Sequence, residues 1–171
     1  MTRSGVGRSI GVVLAIAVTL LTGCLYGFSG GGGLPSNLRT VAVQAFDNQT
    51  ASSDIQREVL EEVRKGMRDR LSLREAQEQK ASIVVRGTIV RYEVDLPAGA
   101  SADARQTTST RRRLQLVIDI EILDQLTGRS LFKREGLSTE GQYPEGGEAT
   151  GRRAAIESFV AQVIEGMQSQ W

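Results

Sequence analysis

Between Arg111 and Asp124 the chain alternates more clearly than anywhere else. Leu114, Leu116, Ile118, Ile120 and Ile122 fall on one face of an extended strand, and Arg113, Gln115, Asp119 and Glu121 fall on the other, with Val117 an apolar exception. Successive side chains in a strand point to opposite faces. Such a stretch therefore belongs in a sheet that is covered on one side and meets water on the other. The rest of the chain has to supply its neighbours and its cover.

The neighbours are legible. Residues 39–46 alternate as a strand, with Val41, Val43 and Ala45 on one side and Phe46 closing the run. Residues 81–94 form another. Ile83, Val85, Gly87 and Ile89 share a face, after which Val90, Tyr92 and Val94 carry the apolar character on the opposite parity. A bulge or sharp twist near Ile89 is expected to bring both sets onto the core. Residues 130–139 form a weaker strand with Leu131, Phe132 and Leu137, joined to its predecessor through a hairpin loop over Asp124-Gln125-Leu126-Thr127-Gly128. Asp47-Asn48-Gln49-Thr50 reads as a turn, and residues 96–110, with Pro97, Gly99 and many small polar residues, as a mobile loop.

The cover is helical. Ile55, Val59, Leu60, Val63, Met67 and Leu71 recur at helical spacing over residues 54–71, opposite a charged face. Ile156, Phe159, Val160, Val163, Ile164 and Met167 do the same over residues 148–168. The fold expected is an α+β two-layer sandwich, with two helices packed on one face of a four-stranded, mixed, mainly antiparallel sheet in the order β-α-β-β-β-α. The first strand–helix–strand unit permits a parallel pair.

The amino-terminal region has a different character. Arg3 and Arg8 precede an apolar run over residues 10–21, too short for a permanent span of roughly 20 residues but suited to a removable signal. Leu21-Thr22-Gly23-Cys24 closes it and resembles the bacterial lipoprotein signature. That resemblance implies a thioether-linked lipid on Cys24, cleavage before it, and acylation of the new amino group. Leu25 follows where an Asp often signals inner-membrane retention, so outer-membrane sorting is expected. The organisation read here is a signal peptide over residues 1–23, a lipidated Gly-rich tether over 24–38 and a folded domain over 39–171. The Gly30–Gly33 run lacks the Gly-Lys-Ser/Thr ending of a phosphate loop.

Several chemistries are excluded or weakened by composition. The chain has no histidine, which removes Ser-His-Asp and Cys-His nucleophile systems and every His-ligated metal site. With Arg3 and Arg8 gone, 19 basic residues face 20 acids, so no global basic field points to nucleic acid. Asp119 and Glu121 stand two apart on one strand face, but no nucleophile motif or pocket signature accompanies them. No catalytic residue, metal or cofactor is expected.

The order of several short motifs carries a resemblance to the LptE family. These are Cys24-Leu25-Tyr26-Gly27-Phe28, Leu34-Pro35, Arg39-Thr40-Val41-Ala42-Val43 leading to Phe46-Asp47-Asn48-Gln49-Thr50, Val85 through Tyr92, the turn at Asp124 to Gly128, and the closing segment from Ile156 to Trp171. The resemblance implies a noncatalytic, lipid-anchored protein on the periplasmic side of the outer membrane. Its implied partners are the LptD β-barrel and lipopolysaccharide. Lipid A carries phosphates, which arginine forks and lysines match. Arg111, Arg112 and Arg113 together with Lys133 are the expected lipopolysaccharide contact; the other reading of these residues is a strand end protected by charge. The opening strand–Asn–helix stretch is also similar to envelope lipoproteins of the CsgG and LpoB kind, which serve secretion pores or activate cell-wall synthases.

Overall fold

The computed structural model describes residues 34–97 and 111–169. Residues 1–33, with Cys24 and the Gly30–Gly33 run, most of the 96–110 loop and Trp171 lie outside the described residues, whereas Leu38 at the end of the expected tether is buried in the core.

The sheet is built around its longest strands. Strand β1 (Thr40–Val43) runs parallel to β4 (Ile83–Pro97), with Val41 opposite Ile83 and Val43 opposite Val85. The Gln44 N–H still donates to the Val85 carbonyl (2.9 Å), after which the chain leaves the ladder and Phe46 turns inward, fully buried, over Gly87. A Cβ on Gly87 would stand 2.6 Å from the Phe46 ring, so the ring takes the space that a side chain there would need. Strand β2 (Asp47–Asn48) resumes the same edge, with Asp47 opposite Thr88. Asp47 and Asn48 are therefore strand rather than turn. The turn starts one residue later. Asn48 Oδ1 accepts from the Thr50 N–H (2.9 Å) and hydroxyl (2.8 Å), and Asn48 Nδ2 donates to the Ser52 carbonyl (2.7 Å). These bonds lift the chain off the sheet.

Helix α1 (Ser53–Leu71) buries Ile55, Val59, Val63, Gly66, Met67 and Leu71. It stops at Ser72, which adopts a left-handed conformation (φ 55) while the Leu73 N–H returns to the Met67 carbonyl. The connection that follows holds a short strand β3 (Arg74–Glu75), parallel to β1, and a 3₁₀ turn at Glu78–Lys80. Strands β5 (Arg111–Asp124) and β6 (Ser130–Pro144) complete the sheet by antiparallel pairing, in the order β3-β1-β4-β5-β6, with β2 beside β4. Helix α2 (Glu148–Gln168) closes the domain. The class is the α+β one expected, and the two extra strands are the two-residue segments β2 and β3, too short to leave a periodic signal.

One face of this sheet is the core. Leu114, Leu116, Ile118, Ile120 and Ile122 are all buried beneath the helices, beside Ile83, Val85, Phe159 and Met167. Each such side chain contributes about 1.5–3 kcal/mol by leaving water. The helices approach closely where side chains are missing. Gly66 of α1 lies against Val160 and Ile164 of α2, and Gly141 of β6 lies against the Gly151 backbone, where a Cβ would collide with the Gly151 carbonyl.

The expected irregularity in β4 is there, as a shift of register between Ile89 and Arg91. Its consequence differs from the expectation. Only Tyr92 returns to the core face, opposite Leu116, whereas Val90 and Val94 stay 37% and 38% exposed. Val90 is the extra residue of the bulge, and extra residues leave the ladder. Val94 sits at a second shift between Glu93 and Leu96, where Asp95 takes φ 59. Tyr143 supports that backbone, accepting the Asp95 N–H (2.9 Å) and donating to Asp95 Oδ1 (3.1 Å).

The β5–β6 hairpin forms as expected. Asp124 Oδ1 accepts from the Leu126 N–H (2.9 Å), Asp124 Oδ2 accepts from the Thr127 hydroxyl (2.7 Å), and Gly128 supplies φ 69. The Thr127 hydroxyl and the backbone N–H groups of Leu126 and Thr127 hold the Asp124 carboxyl below its ordinary range, against the opposing effect of burial.

Candidate functional site

The open face of the sheet carries the charges left over from the core. They stand in rows fixed by register. Arg86, Glu121 and Lys133 lie side by side on β4, β5 and β6, and Asp47, Thr88 and Asp119 lie side by side on β2, β4 and β5. The two rows are two residues apart along β4, about 7 Å. Between and around them is a recess of about 340 Å³, lined by both rows and by Gln44 and Glu135 among others. It opens where β1 gives way to β2 on one side and where β6 bulges on the other.

Within the recess most charges already have partners. Arg86 donates from Nε (3.0 Å) and Nη2 (2.7 Å) to one oxygen of Glu121. Lys133 Nζ lies 2.9 Å from Glu135, and the hydrogen bond and charge of Glu135, with a further pull from Glu121, raise its pKa. Asp119 Oδ1 accepts the Gly136 N–H (2.6 Å), which pins the β6 bulge where Gly136 takes φ 64. Asp47 is exposed, and its side chain makes no hydrogen bond or ion pair among the described residues. Ion pairs this accessible are worth less than about 1 kcal/mol each, so they leave the rows free to exchange partners with a ligand.

The four cations nominated by sequence do not form one patch. Glu121, opposite Lys133, is eight residues along β5 from Arg113, roughly 26 Å at strand rise. Arg111 is exposed opposite Pro144. Arg112 has the parity of the core residues and at the sheet end lies 3.5 Å from both Asp95 and Glu145. Arg113 donates to Glu140 (3.2 Å), and its Nε is buried with no hydrogen-bond partner. Lys133 instead joins Arg86 across Glu121. Strand register creates that pair, and no spacing in the sequence signals it. Asp47 was hidden for a similar reason, since a two-residue strand looks like a turn. Asp119 and Glu121 share the open face as read, but both are engaged by the Gly136 N–H and the Arg86 fork.

A second polar cluster ties the helices to the sheet. Arg152 of α2 donates to Glu58 of α1 (2.8 Å) and to Glu148 (3.2 Å), while Tyr92 of β4 donates to Glu148 (2.8 Å). Burial first, and Glu148 besides, push the Tyr92 hydroxyl up to about 12, so it remains a donor. Glu58, ahead of Tyr92, raises the Arg152 guanidinium above its ordinary value. This cluster joins three elements, which suits holding them together.

Comparison with known proteins bears on the whole domain. Residues 38–170 match the family model described as LptE, lipopolysaccharide-assembly. A search of curated proteins gives no match. Among solved structures, the fold is similar to XCC0632 from Xanthomonas campestris, at 10% identity and TM-score 0.56 over 83% of this chain and 90% of that one. It is also similar to PelC from Paraburkholderia phytofirmans, solved as a dodecamer, at 17% identity and TM-score 0.52 over 82% and 94%. A third is the hypothetical protein CT253 from Chlamydia trachomatis, at 9% identity and TM-score 0.52 over 75% and 97%. At these identities the likeness speaks for the fold.

Proposed function

The chain belongs to the LptE lipopolysaccharide-assembly family, and on that premise we propose that it is a noncatalytic envelope lipoprotein that assembles with and plugs an LptD-type β-barrel for lipopolysaccharide transport. Cys24 carries the lipid in this reading and holds the domain on the periplasmic side of the outer membrane. Two or more acyl chains anchor a protein stably where one does not. The observation that carries the proposal is the family match across nearly the whole folded domain.

The open sheet face supports it physically. A barrel lumen is polar and wet, unlike the lipid outside it. A face whose charges are exposed and mutually paired loses little by facing such a lumen. The nominated anionic-lipid contact then divides in two. Lys133, with Arg86, serves the recess, and Arg111, Arg112 and Arg113 serve the sheet end where the 98–110 segment joins. Lysine keeps spare donors when paired to one carboxylate, and so does an arginine fork.

The test is affinity capture of the tagged full-length lipoprotein from detergent-solubilised envelopes, with mass spectrometry. Recovery of one large β-barrel in equal amount is expected. Recovery of a cell-wall synthase, or of a ring of this chain alone, overturns the barrel assignment and favours the CsgG or LpoB kind of role.

A further inference from the structure

We propose that the open-face recess takes a dipolar ligand, a phosphate group with a nearby ammonium, rather than a bare polyanion. The inference rests on the reading of Arg86 and Lys133 as an anionic-lipid contact and narrows it. One row sets Arg86 and Lys133 on either side of Glu121, and the next, about 7 Å away along β4, carries Asp47 and Asp119 and no cation. The four carboxylates of the lining, Asp47, Asp119, Glu121 and Glu135, face three cations, Arg86, Lys133 and Arg134, so a ligand bearing only negative charge meets a lining of net negative formal charge. Glu121 and Glu135 are neutralised locally by Arg86 and Lys133, and Asp119 is occupied by the Gly136 N–H. Asp47 is left at the end of its row, exposed and unpaired among the described residues.

A ligand with both charges fits that inventory. Its phosphate meets the spare donors of Arg86 and Lys133, for the fork engages Glu121 through Nε and Nη2 alone and the lysine has three protons. Its ammonium meets Asp47. Thr88 stands in the second row, between Asp47 and Asp119, and adds a hydroxyl to the lining. The group can belong to a lipid headgroup or to a free small molecule, since the shared chemistry is the same.

Phosphoethanolamine, inorganic phosphate and ethanolamine, titrated separately into the full-length lipoprotein in detergent and followed by amide NMR, test this. Saturable shifts at Asp47, Thr88 and Gly136 are expected with phosphoethanolamine, several-fold tighter than with either fragment. Asp47→Asn should weaken phosphoethanolamine roughly two- to fivefold, the worth of one exposed ion pair, while leaving inorganic phosphate unchanged or slightly tighter. Equal affinity for phosphate and phosphoethanolamine, an unaffected Asp47→Asn variant, or no shift in the recess overturns the proposal. A parallel assay with purified lipopolysaccharide separates the two readings. Loss of lipopolysaccharide binding in Arg86→Gln/Lys133→Gln with no preference for the dipolar probe keeps the contact and rejects the dipolar ligand. Unchanged lipopolysaccharide binding in that variant rejects the contact itself. Vesicles with and without phosphatidylethanolamine then tell a headgroup from a free molecule.

Discussion

The two faces of β5 are made by the same fourteen residues and obey different physics. On the helix side, Leu114 to Ile122 are buried and their contacts are fixed by shape. On the open side, Arg113 to Glu121 are half-buried and their contacts are set by charge partners on β4 and β6. Apolar burial is large and does not depend on which partner provides it. Surface ion pairs are weak and exchangeable. The helix face therefore holds the fold, and the open face is free to serve binding.

The strongest way to break that contrast is to cut into the helix face. Ile118→Ala should cost about 2–5 kcal/mol, the range for removing a buried branched side chain, read as a lowered urea midpoint. Gly141→Ala should cost about 1–3 kcal/mol by adding volume rather than removing it, because its Cβ meets the Gly151 backbone, which cannot rotate away. A destabilisation near zero there would mean that α2 can slide on the sheet.

The hairpin gives an intermediate effect with a pH signature. Asp124→Asn should cost about 1–2 kcal/mol at neutral pH, since hydrogen bonds to a charged acceptor are stronger than neutral ones. The folded-state pKa of Asp124 is depressed from 3.8. Its contribution is thus full above that value and is lost as the pH falls through the folded-state pKa. The gap between wild type and variant should close in acid, and a gap independent of pH would show that charge plays no part.

The smallest stability effects belong to the open face. Arg86→Gln and Lys133→Gln should each change stability by less than about 0.5 kcal/mol, while weakening lipopolysaccharide binding. A loss as large as that of Ile118→Ala would show that the rows are structural, and the contrast between the two faces would fail.

Much of the fold was legible because periodicity reports burial directly. Two helical stripes, the alternation of residues 111–124 and the Asp124–Gly128 turn each describe a local geometry that the chain itself enforces. The candidate site was legible only in its ingredients. Lys133 could be named, but its neighbours come by register, Glu121 from 12 residues away and Arg86 from a further 35. Val90 and Val94 show the converse failure. Their apolar character predicted burial, yet a bulge is decided by competing ladders, so both remain outside.

By itself the sequence determined the class of structure and the elements that cover the sheet, and it raised the expectation of export and lipidation at Cys24. These follow from hydrophobic period, composition and short contiguous motifs. Tertiary structure decided strand order, the parallel pairing of β1 and β2 along one edge of β4, and the juxtaposition of the Arg86–Glu121–Lys133 row with the Asp47–Thr88–Asp119 row. Each of these is a choice of register between segments far apart in the chain. Register is set by the packing of whole faces, and no single residue carries it.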